Sequence, residues 1–145
     1  MDENIEIKGV WKGEYVYDDK FQPAVVKTSI PFILKIKSID ANGLFEGMCQ
    51  DDPVATKINL SAELFGSIKD NELFFVKKYS KTLINDAFGN VTIADGPHPD
   101  IIYKGTLKEN GQFFGAWSVG RTLTKINNKV IEVPALTGIW WMKRF

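Results

Sequence analysis

The chain has 145 residues and a mass of 16.4 kDa, and 44% of its residues are hydrophobic and 25% charged. A chain of this size buries about 68–70% of its unfolded surface, which suffices for a core without disulfides, so we expect a single domain over residues 1–145. The 18 basic and 18 acidic residues balance to a net charge of zero. With no block of like charges either, a nucleic-acid partner and a basic membrane-surface helix are disfavoured.

The N-terminal segment, the length of the apolar stretches and the cysteine content bear on secretion and membrane insertion. The chain begins Met1-Asp2-Glu3, which is acidic where a secretory signal is basic, and no apolar signal core follows. No stretch reaches the ~20 apolar residues of a membrane-spanning helix. Cys49 is the single cysteine and has no partner for an internal disulfide. We therefore expect a cytoplasmic protein without a membrane partner.

Alternation of apolar and polar residues with a period of two recurs along the chain, and helical periodicity is almost absent. This pattern predicts an all-β protein. The predicted strands are, in chain order, Lys8–Tyr17, Ser29–Ile39, Leu44–Asp51, Lys57–Ile68, Glu72–Ser80, Ile101–Glu109, Gln112–Val119 and Thr137–Phe145. Val91–Ala94 is a candidate for a further short strand. Asn127-Asn128 is a candidate turn for a hairpin between Leu123–Ile126 and Val130–Val133.

Short and long connections alternate between the eight main strands. The short ones contain Asn or Gly residues that tolerate positive φ, at Asp40–Gly43, Lys69–Asn71 and Glu109–Gly111. The long ones are Asp18–Thr28, Asp52–Thr56, Lys81–Asp100 and Gly120–Leu136. In an up-and-down meander every second connection lies at the same end, so the long loops would share one rim. Since eight antiparallel strands avoid exposed edges by closing, we predict an up-and-down eight-stranded β-barrel with a loop-rich mouth and a tight opposite end.

A glycine flanked at two residues' distance by apolar side chains recurs inside four predicted strands. These segments are Phe45–Cys49, Leu64–Ile68, Tyr103–Leu107 and Phe113–Trp117. Glycine in mid-strand weakens a strand, and the sharp coiling of a small closed sheet is a reason for its presence.

Gly9-Val10-Trp11 opens the first strand and Arg144 lies in the last one. With these residues the chain resembles the calycin superfamily, the lipocalin, fatty-acid-binding-protein and avidin group of meander barrels. In those families the Trp of a first-strand G-x-W lies at the closed end and an Arg of the final strand packs across it. The resemblance implies this structural role for Trp11 and Arg144.

The G-x-W pattern recurs at Gly115-Ala116-Trp117 and Gly138-Ile139-Trp140. In this respect the chain is more similar to avidin-like and other single-domain bacterial barrels than to secreted lipocalins. The resemblance implies a barrel that holds a small molecule, and it names no ligand.

Two strands carry polar side chains that could reach the mouth. On the fifth strand, Lys77 and Tyr79 share a face with Leu73 and Phe75. If this face is inside, Lys77 would need an acid such as Asp51 or an anionic ligand, because a buried lysine is costly unless paired. The other interpretation is that the flexible stem of Lys77 extends out of the mouth into water.

Aromatic side chains would surround a cavity in such a barrel, since their rings offer apolar area and a few polar groups. With the three polar side chains just named, the predicted ligand-binding set is Tyr15, Tyr17, Asp51, Lys77, Tyr79, Tyr103, Trp117 and Trp140. The same rings could instead simply fill the barrel. On the seventh strand, either Phe113 and Trp117 or Phe114 and Ala116 face inward.

The sequence predicts no metal site, cofactor or catalytic residue. His98 is the only histidine, so a site with two histidine ligands is excluded. Cys49 lies within a predicted strand and His98 in a long loop, which favours a buried structural cysteine over a Cys–His pair. Nucleophile-elbow, phosphate-loop and dinucleotide fingerprints do not occur.

Three functions are open at this point. The first expectation is a barrel that binds a small apolar or anionic molecule through its mouth. The alternative is a filled barrel that forms a homo-oligomer, with Phe65 or the Leu123–Val133 hairpin as candidate contact surfaces. The third is an enzyme acting on a bound substrate with Lys77, Tyr79 and Asp51.

Overall fold

The computed structural model describes residues 7–18, 29–51, 61–79, 82–85, 91–94, 100–126, 128–133 and 135–145. These residues form twelve strands: β1 (Gly9–Tyr17), β2 (Ile30–Ile39), β3 (Leu44–Asp51), β4 (Ser61–Lys69), β5 (Glu72–Lys78), β6 (Thr82–Asn85), β7 (Val91–Ala94), β8 (Ile101–Leu107), β9 (Phe113–Val119), β10 (Thr122–Ile126), β11 (Lys129–Val133) and β12 (Leu136–Arg144). The described part of the chain contains no helix long and apolar enough to cross a membrane.

Eight of these strands form a closed antiparallel barrel in the order β1-β12-β9-β8-β5-β4-β3-β2. The predicted all-β class and the eight-stranded antiparallel barrel are thereby confirmed. The eight predicted strands correspond to the barrel strands, with ends that differ by one to a few residues. The predicted strand Lys57–Ile68 begins at Ser61 in the structure, and residues 57–60 lie outside the described part.

Two hairpins lie outside the barrel, β6 with β7 and β10 with β11. The second confirms the hairpin expected from Asn127-Asn128, and Asn128 adopts φ of 65° at its turn. The short strand expected at Val91–Ala94 is β7. Its partner β6 was not predicted, because a four-residue apolar stretch is too short to show alternation.

Tight turns connect strands at one end of the barrel. The β4–β5 turn places both Asp70 and Asn71 at positive φ, 52° and 67°, the conformation that closes a two-residue hairpin. In the β2–β3 turn, the Asp40 carboxylate accepts hydrogen bonds from two backbone N–H groups, and Gly43 takes φ of 81°. The start of β1 and the end of β12 lie at this same tight end, because every barrel strand is antiparallel to its neighbours.

Trp11, which is buried, and Arg144, which is exposed, are in contact at the tight end. The two residues are register partners on β1 and β12, and the guanidinium carbon of Arg144 lies 4.5 Å from the centroid of the Trp11 ring. The Trp11 indole donates a hydrogen bond to the carbonyl of Ile7 at 2.8 Å, and its ring meets Phe113 edge-on at 5.4 Å. A cation–π contact of this kind contributes about 0.5–2 kcal/mol, more when water is excluded.

The mid-strand glycines give room to aromatic rings from neighbouring strands. Gly138 is the register partner of Trp117, and Gly115 that of Trp140. At Gly105 an added Cβ would lie 2.6 Å from the Trp140 ring. At Gly47 and Gly115 an added Cβ would instead lie 2.1 and 1.8 Å from a backbone carbonyl oxygen of the neighbouring strand. Glycine is therefore required at some positions by the rings and at others by the close approach of the strands.

Candidate functional site

A buried ion pair lies inside the barrel, toward the end opposite Trp11 and Arg144. The Lys77 ammonium is 2.8 Å from Oδ1 of Asp51. Lys77 is 1% exposed and Asp51 4%. Of the two interpretations left open by the sequence, the inward lysine paired with Asp51 is observed, and the extension of Lys77 into water was wrong.

The pleat of β5 explains why a lysine is inside. Leu73 and Phe75 are buried, while Phe74 and Lys78 are exposed, so the period of two carries the inward face on to Lys77 and then to Tyr79. The register partners of Lys77, Leu64 on β4 and Ile101 on β8, flank this position. The ambiguous strand β9 is settled in the same way, because Phe113 and Trp117 are buried and Phe114 is exposed.

The carboxylate of Asp51 is surrounded by donors. Its Oδ2 accepts hydrogen bonds from the hydroxyls of Tyr79 and, at 3.4 Å, of Tyr15. Its Oδ1 accepts the Lys77 bond and a weak contact from the Cys49 thiol at 3.9 Å. Both carboxylate oxygens of Asp51 therefore accept hydrogen bonds, and a buried ion pair is tolerated when its remaining polar atoms are paired in this way.

Three tyrosine rings surround the ammonium group of Lys77. Its nitrogen lies 5.0 Å from the ring centroids of Tyr15 and Tyr79 and 5.8 Å from that of Tyr103. Cation–π attraction offsets part of the solvation that the ammonium loses on burial. Asp51 is the only hydrogen-bond acceptor that the described residues offer to Lys77. Together, Tyr15, Cys49, Asp51, Lys77, Tyr79 and Tyr103 are called the Asp51 cluster below.

The hydroxyl of Tyr103 has no hydrogen-bond partner among the described residues, although Tyr103 is only 3% exposed. Its ring stacks on Phe75 with centroids 4.6 Å apart. Within the described part of the chain, every fully buried side-chain nitrogen or oxygen has a partner. The small exposed area of Tyr103 therefore includes its oxygen, which borders space that water can reach.

The remaining predicted aromatic residues occupy two different places. Tyr17 and Trp117 meet edge-on at 5.1 Å, and Tyr15 meets Trp117 at 5.8 Å, so these rings form a wall beside the Asp51 cluster. Trp140 is fully buried against Phe75 and Tyr103, and its indole N–H donates to two backbone carbonyls. Trp140 packs the barrel core and shares no contact with the ion pair, whereas Trp11 and Arg144 lie at the far end.

Cys49 belongs to the cluster, and sequence reasoning left it out of the site. It lies two residues before Asp51 on the same face of β3, and this spacing is the signal that could have placed it there.

Burial sets the protonation states of the cluster. Loss of solvation raises the pKa of Tyr15, Tyr79 and Tyr103 well above the ordinary value, and the Asp51 charge adds to this. The same loss raises the pKa of the Cys49 thiol to about 12. For Lys77, loss of solvation lowers the pKa, but Tyr103, Cys49 and Asp51 outweigh it and the pKa is raised well above its usual range. Near neutral pH the lysine, the thiol and the phenols are all protonated, so the cluster offers hydrogen-bond donors rather than a nucleophile.

Comparisons of the chain with protein-family models, curated protein sequences and solved structures give no match. Among the described residues, no group of three or more His, Cys, Asp or Glu side chains is placed to hold a metal ion. His98 lies outside the described residues. The chemistry of the site is therefore argued from its own geometry.

Removing one member of the ion pair should be far more damaging than removing both. Lys77→Met leaves the Asp51 charge buried without its counter-ion, and we expect the free energy of unfolding in urea to fall by about 3–5 kcal/mol. Asp51→Asn combined with Lys77→Met should lose clearly less than the sum of the two single changes. The matched control is Lys78→Met, whose exposed ion pair with Asp100 at 3.7 Å should contribute at most about 1 kcal/mol. Equal losses for the Lys77 and Lys78 variants would contradict a buried pair.

Alkaline pH should destabilise the fold through the same residues. Lys77 and the three cluster tyrosines have folded-state pKa values above those of the unfolded chain. The folded protein therefore holds more protons than the unfolded one above pH ~10, and their stabilisation, complete below that pH, is lost as the pH rises further. Urea unfolding between neutral and strongly alkaline pH measures this loss. Phenolate absorbance from these three tyrosines before the β-sheet circular dichroism is lost would be the contrary result.

Proposed function

We propose that this barrel binds a small uncharged molecule in its mouth, with a flat apolar body beside the aromatic wall and a hydrogen-bond acceptor directed at Tyr103 and Lys77. The single observation that carries the proposal is the Tyr103 hydroxyl, which lies inside the barrel, borders space that water can reach and has no hydrogen-bond partner among the described residues. An acceptor on a ligand would replace water at this hydroxyl and form a hydrogen bond worth about 0.5–1.5 kcal/mol.

Lys77 supports the same chemistry. An ammonium group has three N–H donors, and the described residues supply one acceptor, Asp51. The other protons face the tyrosine rings, on the side where Tyr103 lies. A carbonyl oxygen placed near Tyr103 would accept from the phenol and lie within the field of the ammonium.

Charge balance favours an uncharged ligand over an anion. Asp51 already neutralises Lys77 within 2.8 Å, so the cluster has no net charge. An anion would bring an unbalanced negative charge beside Asp51 into a site from which water is largely excluded, and such burial is expensive. The sequence left apolar and anionic molecules open, and the geometry supports a largely apolar molecule with a neutral acceptor.

The ring wall and the mouth-side residues support a flat ligand body. Tyr15, Tyr17 and Trp117 present edges and faces to one another at 5.1–6.2 Å. Tyr17, Ile101 and Leu136 are only partly buried at the mouth-side ends of their strands, as expected where a ligand enters. Pockets of this kind combine apolar rings with a few polar groups that orient the ligand.

Kinship with the calycin superfamily is part of the proposal. The closed eight-stranded antiparallel barrel and the contact of Arg144 with Trp11 are compatible with it, and the small-molecule binding that the resemblance implies agrees with the site. We include a cytoplasmic location, which the free and buried Cys49 supports.

Three matched probes test the mouth site: 2-acetylnaphthalene, 2-ethylnaphthalene and 2-naphthoate share one apolar body and differ in the polar group. Of the three probes, the ketone should change the amide chemical shifts of β5 and β8 at the lowest probe concentration. Tyr103→Phe should weaken ketone binding by about 5- to 10-fold, the value of one hydrogen bond, and leave 2-ethylnaphthalene unchanged. Tighter binding of the naphthoate, or equal ketone affinity in the variant, would refute the proposed acceptor chemistry. A native mass spectrum of gently purified protein would show any ligand carried from the cell.

Self-association is a second candidate function, and it rests on the outer face of β3, β4, β5 and β8. Phe65, Val76 and Ile102 are consecutive register partners there. Phe65 and Phe74 are 40% and 38% exposed. Glu46 borders this apolar face on β3 and Lys104 borders it on β8. In a two-fold dimer centred on the patch, Glu46 of one copy would lie opposite Lys104 of the other, so the surface is self-complementary.

Charge reversal tests this dimer. In sedimentation velocity we expect Glu46→Lys to shift the protein toward monomer, because lysine would then face lysine across the two-fold axis. Adding Lys104→Glu in the same chain should restore the dimer, since the opposite charges meet again. Arg121→Glu is the control and should leave the association unchanged, because Arg121 lies between β9 and β10, outside the barrel sheet, and pairs with Glu132 of β11. A monomer at all concentrations would exclude this function.

A further inference from the structure

A groove of about 560 Å³ runs across the outer surface of β12, β1, β2 and β3. It shares only β3 with the apolar face described above, and its lysines point away from the barrel interior. Lys12, Lys143, Ile33, Trp141 and Phe145 are among its lining residues. Its volume is that of a cleft able to receive a small organic molecule.

Two cations face each other in this groove. Lys12 on β1 and Lys143 on β12 are direct register partners, and both side chains are on the outer face. Like charges at directly opposite positions of an antiparallel pair repel each other. Among the described residues no carboxylate forms an ion pair with either lysine. The carboxylate of Glu14, which also lines the groove, accepts a hydrogen bond from the Ser29 hydroxyl at 3.2 Å.

Apolar side chains border the two lysines. Ile33 is the register partner of Lys12 on β2 and is 47% exposed. Phe145 is 72% exposed, its backbone N–H donates to the carbonyl of Val10, and its ring lies 5.3 Å from the Lys12 nitrogen. Trp141 lies two residues before Lys143 on the same outer face of β12. An isolated exposed ring is ordinary, but here rings and an aliphatic side chain line one groove with two lysines that form no ion pair among the described residues.

We propose that this outer groove binds a free amphipathic anion, with a sulfonate or carboxylate head between Lys12 and Lys143 and an apolar body against Trp141 and Ile33. The anion offsets the repulsion between the lysines, and its body removes exposed apolar surface from water. The head group would lie outside the barrel at Lys12 and Lys143, near the tight end, whereas the mouth ligand would lie inside it at Tyr103 and Lys77. Asp51 also borders the groove, at the mouth-side end of β3, but its carboxylate is paired with Lys77 inside the barrel. The two proposals can therefore fail independently.

The probe for this site is 2-naphthalenesulfonate, followed by amide chemical shifts of the whole protein. We expect shifts at β1 and β12 around Lys12 and Lys143, with no change at Lys77 or Tyr103. Lys12→Gln and Lys143→Gln should each weaken binding by about 3- to 5-fold, the usual value of a solvent-exposed charge contact, and added salt should weaken it in the unmodified protein. The matched control, Lys69→Gln at the exposed end of β4, should bind the sulfonate normally.

Two further arms distinguish the source of the anion and the role of charge. The uncharged 2-naphthalenemethanol should bind more weakly and show no loss in the Lys12 variant. Vesicles of phosphatidylglycerol carry the same kind of anion on a flat surface, and they should bind less well than the free sulfonate because a planar surface does not enter a groove. Sulfonate shifts confined to the mouth, equal affinity in all three lysine variants, or binding to vesicles alone would each overturn the proposal.

Discussion

Closure of eight strands around a narrow interior is the constraint on which the rest of this structure depends. In each barrel strand every second side chain points into the same small interior. A residue therefore points inward whenever the residues two positions before and after it do. Large rings are accommodated beside glycines, Trp140 against Gly105 and Trp117 against Gly138. The same parity carries Lys77 inside behind Leu73 and Phe75, at the cost of its solvation. The ion pair with Asp51 follows from that enforced burial.

Each end of the barrel holds a cation, and the two differ in burial: Arg144 is exposed and Lys77 is buried. At the tight end the Arg144 guanidinium lies over the Trp11 ring and donates to the carbonyl of Lys8, close to water. Toward the mouth the Lys77 ammonium is almost completely buried and is balanced by a carboxylate and by three tyrosine rings. The first arrangement uses only local contacts between the first and last strands. The second connects β1, β3, β5 and β8 across the interior, so a change at Asp51 should be felt by several strands.

The inner and outer surfaces of the sheet offer opposite electrostatics to a ligand. Inside, the charges are balanced, the pKa of Tyr103 is raised, and what is offered to a ligand is a neutral donor next to aromatic rings. Outside, Lys12 and Lys143 repel each other and solvent screens them. A neutral carbonyl compound suits the first surface and an amphipathic anion the second. Both surfaces arise from the same strand, β1, whose alternate residues point in opposite directions.

The sequence by itself determined the β class, the eight barrel strands and the tight turns, because alternation and turn chemistry are local properties of the chain. It also paired Asp51 with Lys77 as one of two interpretations, since both lie near mouth-side strand ends. Only the tertiary structure decided between them, because the inward face of β5 depends on which side of that strand the closed sheet covers. The participation of Cys49, the free hydroxyl of Tyr103 and the deep position of Trp140 were likewise decided there. Each depends on distances between strands that are far apart in the chain, and a local pattern carries no information about those distances.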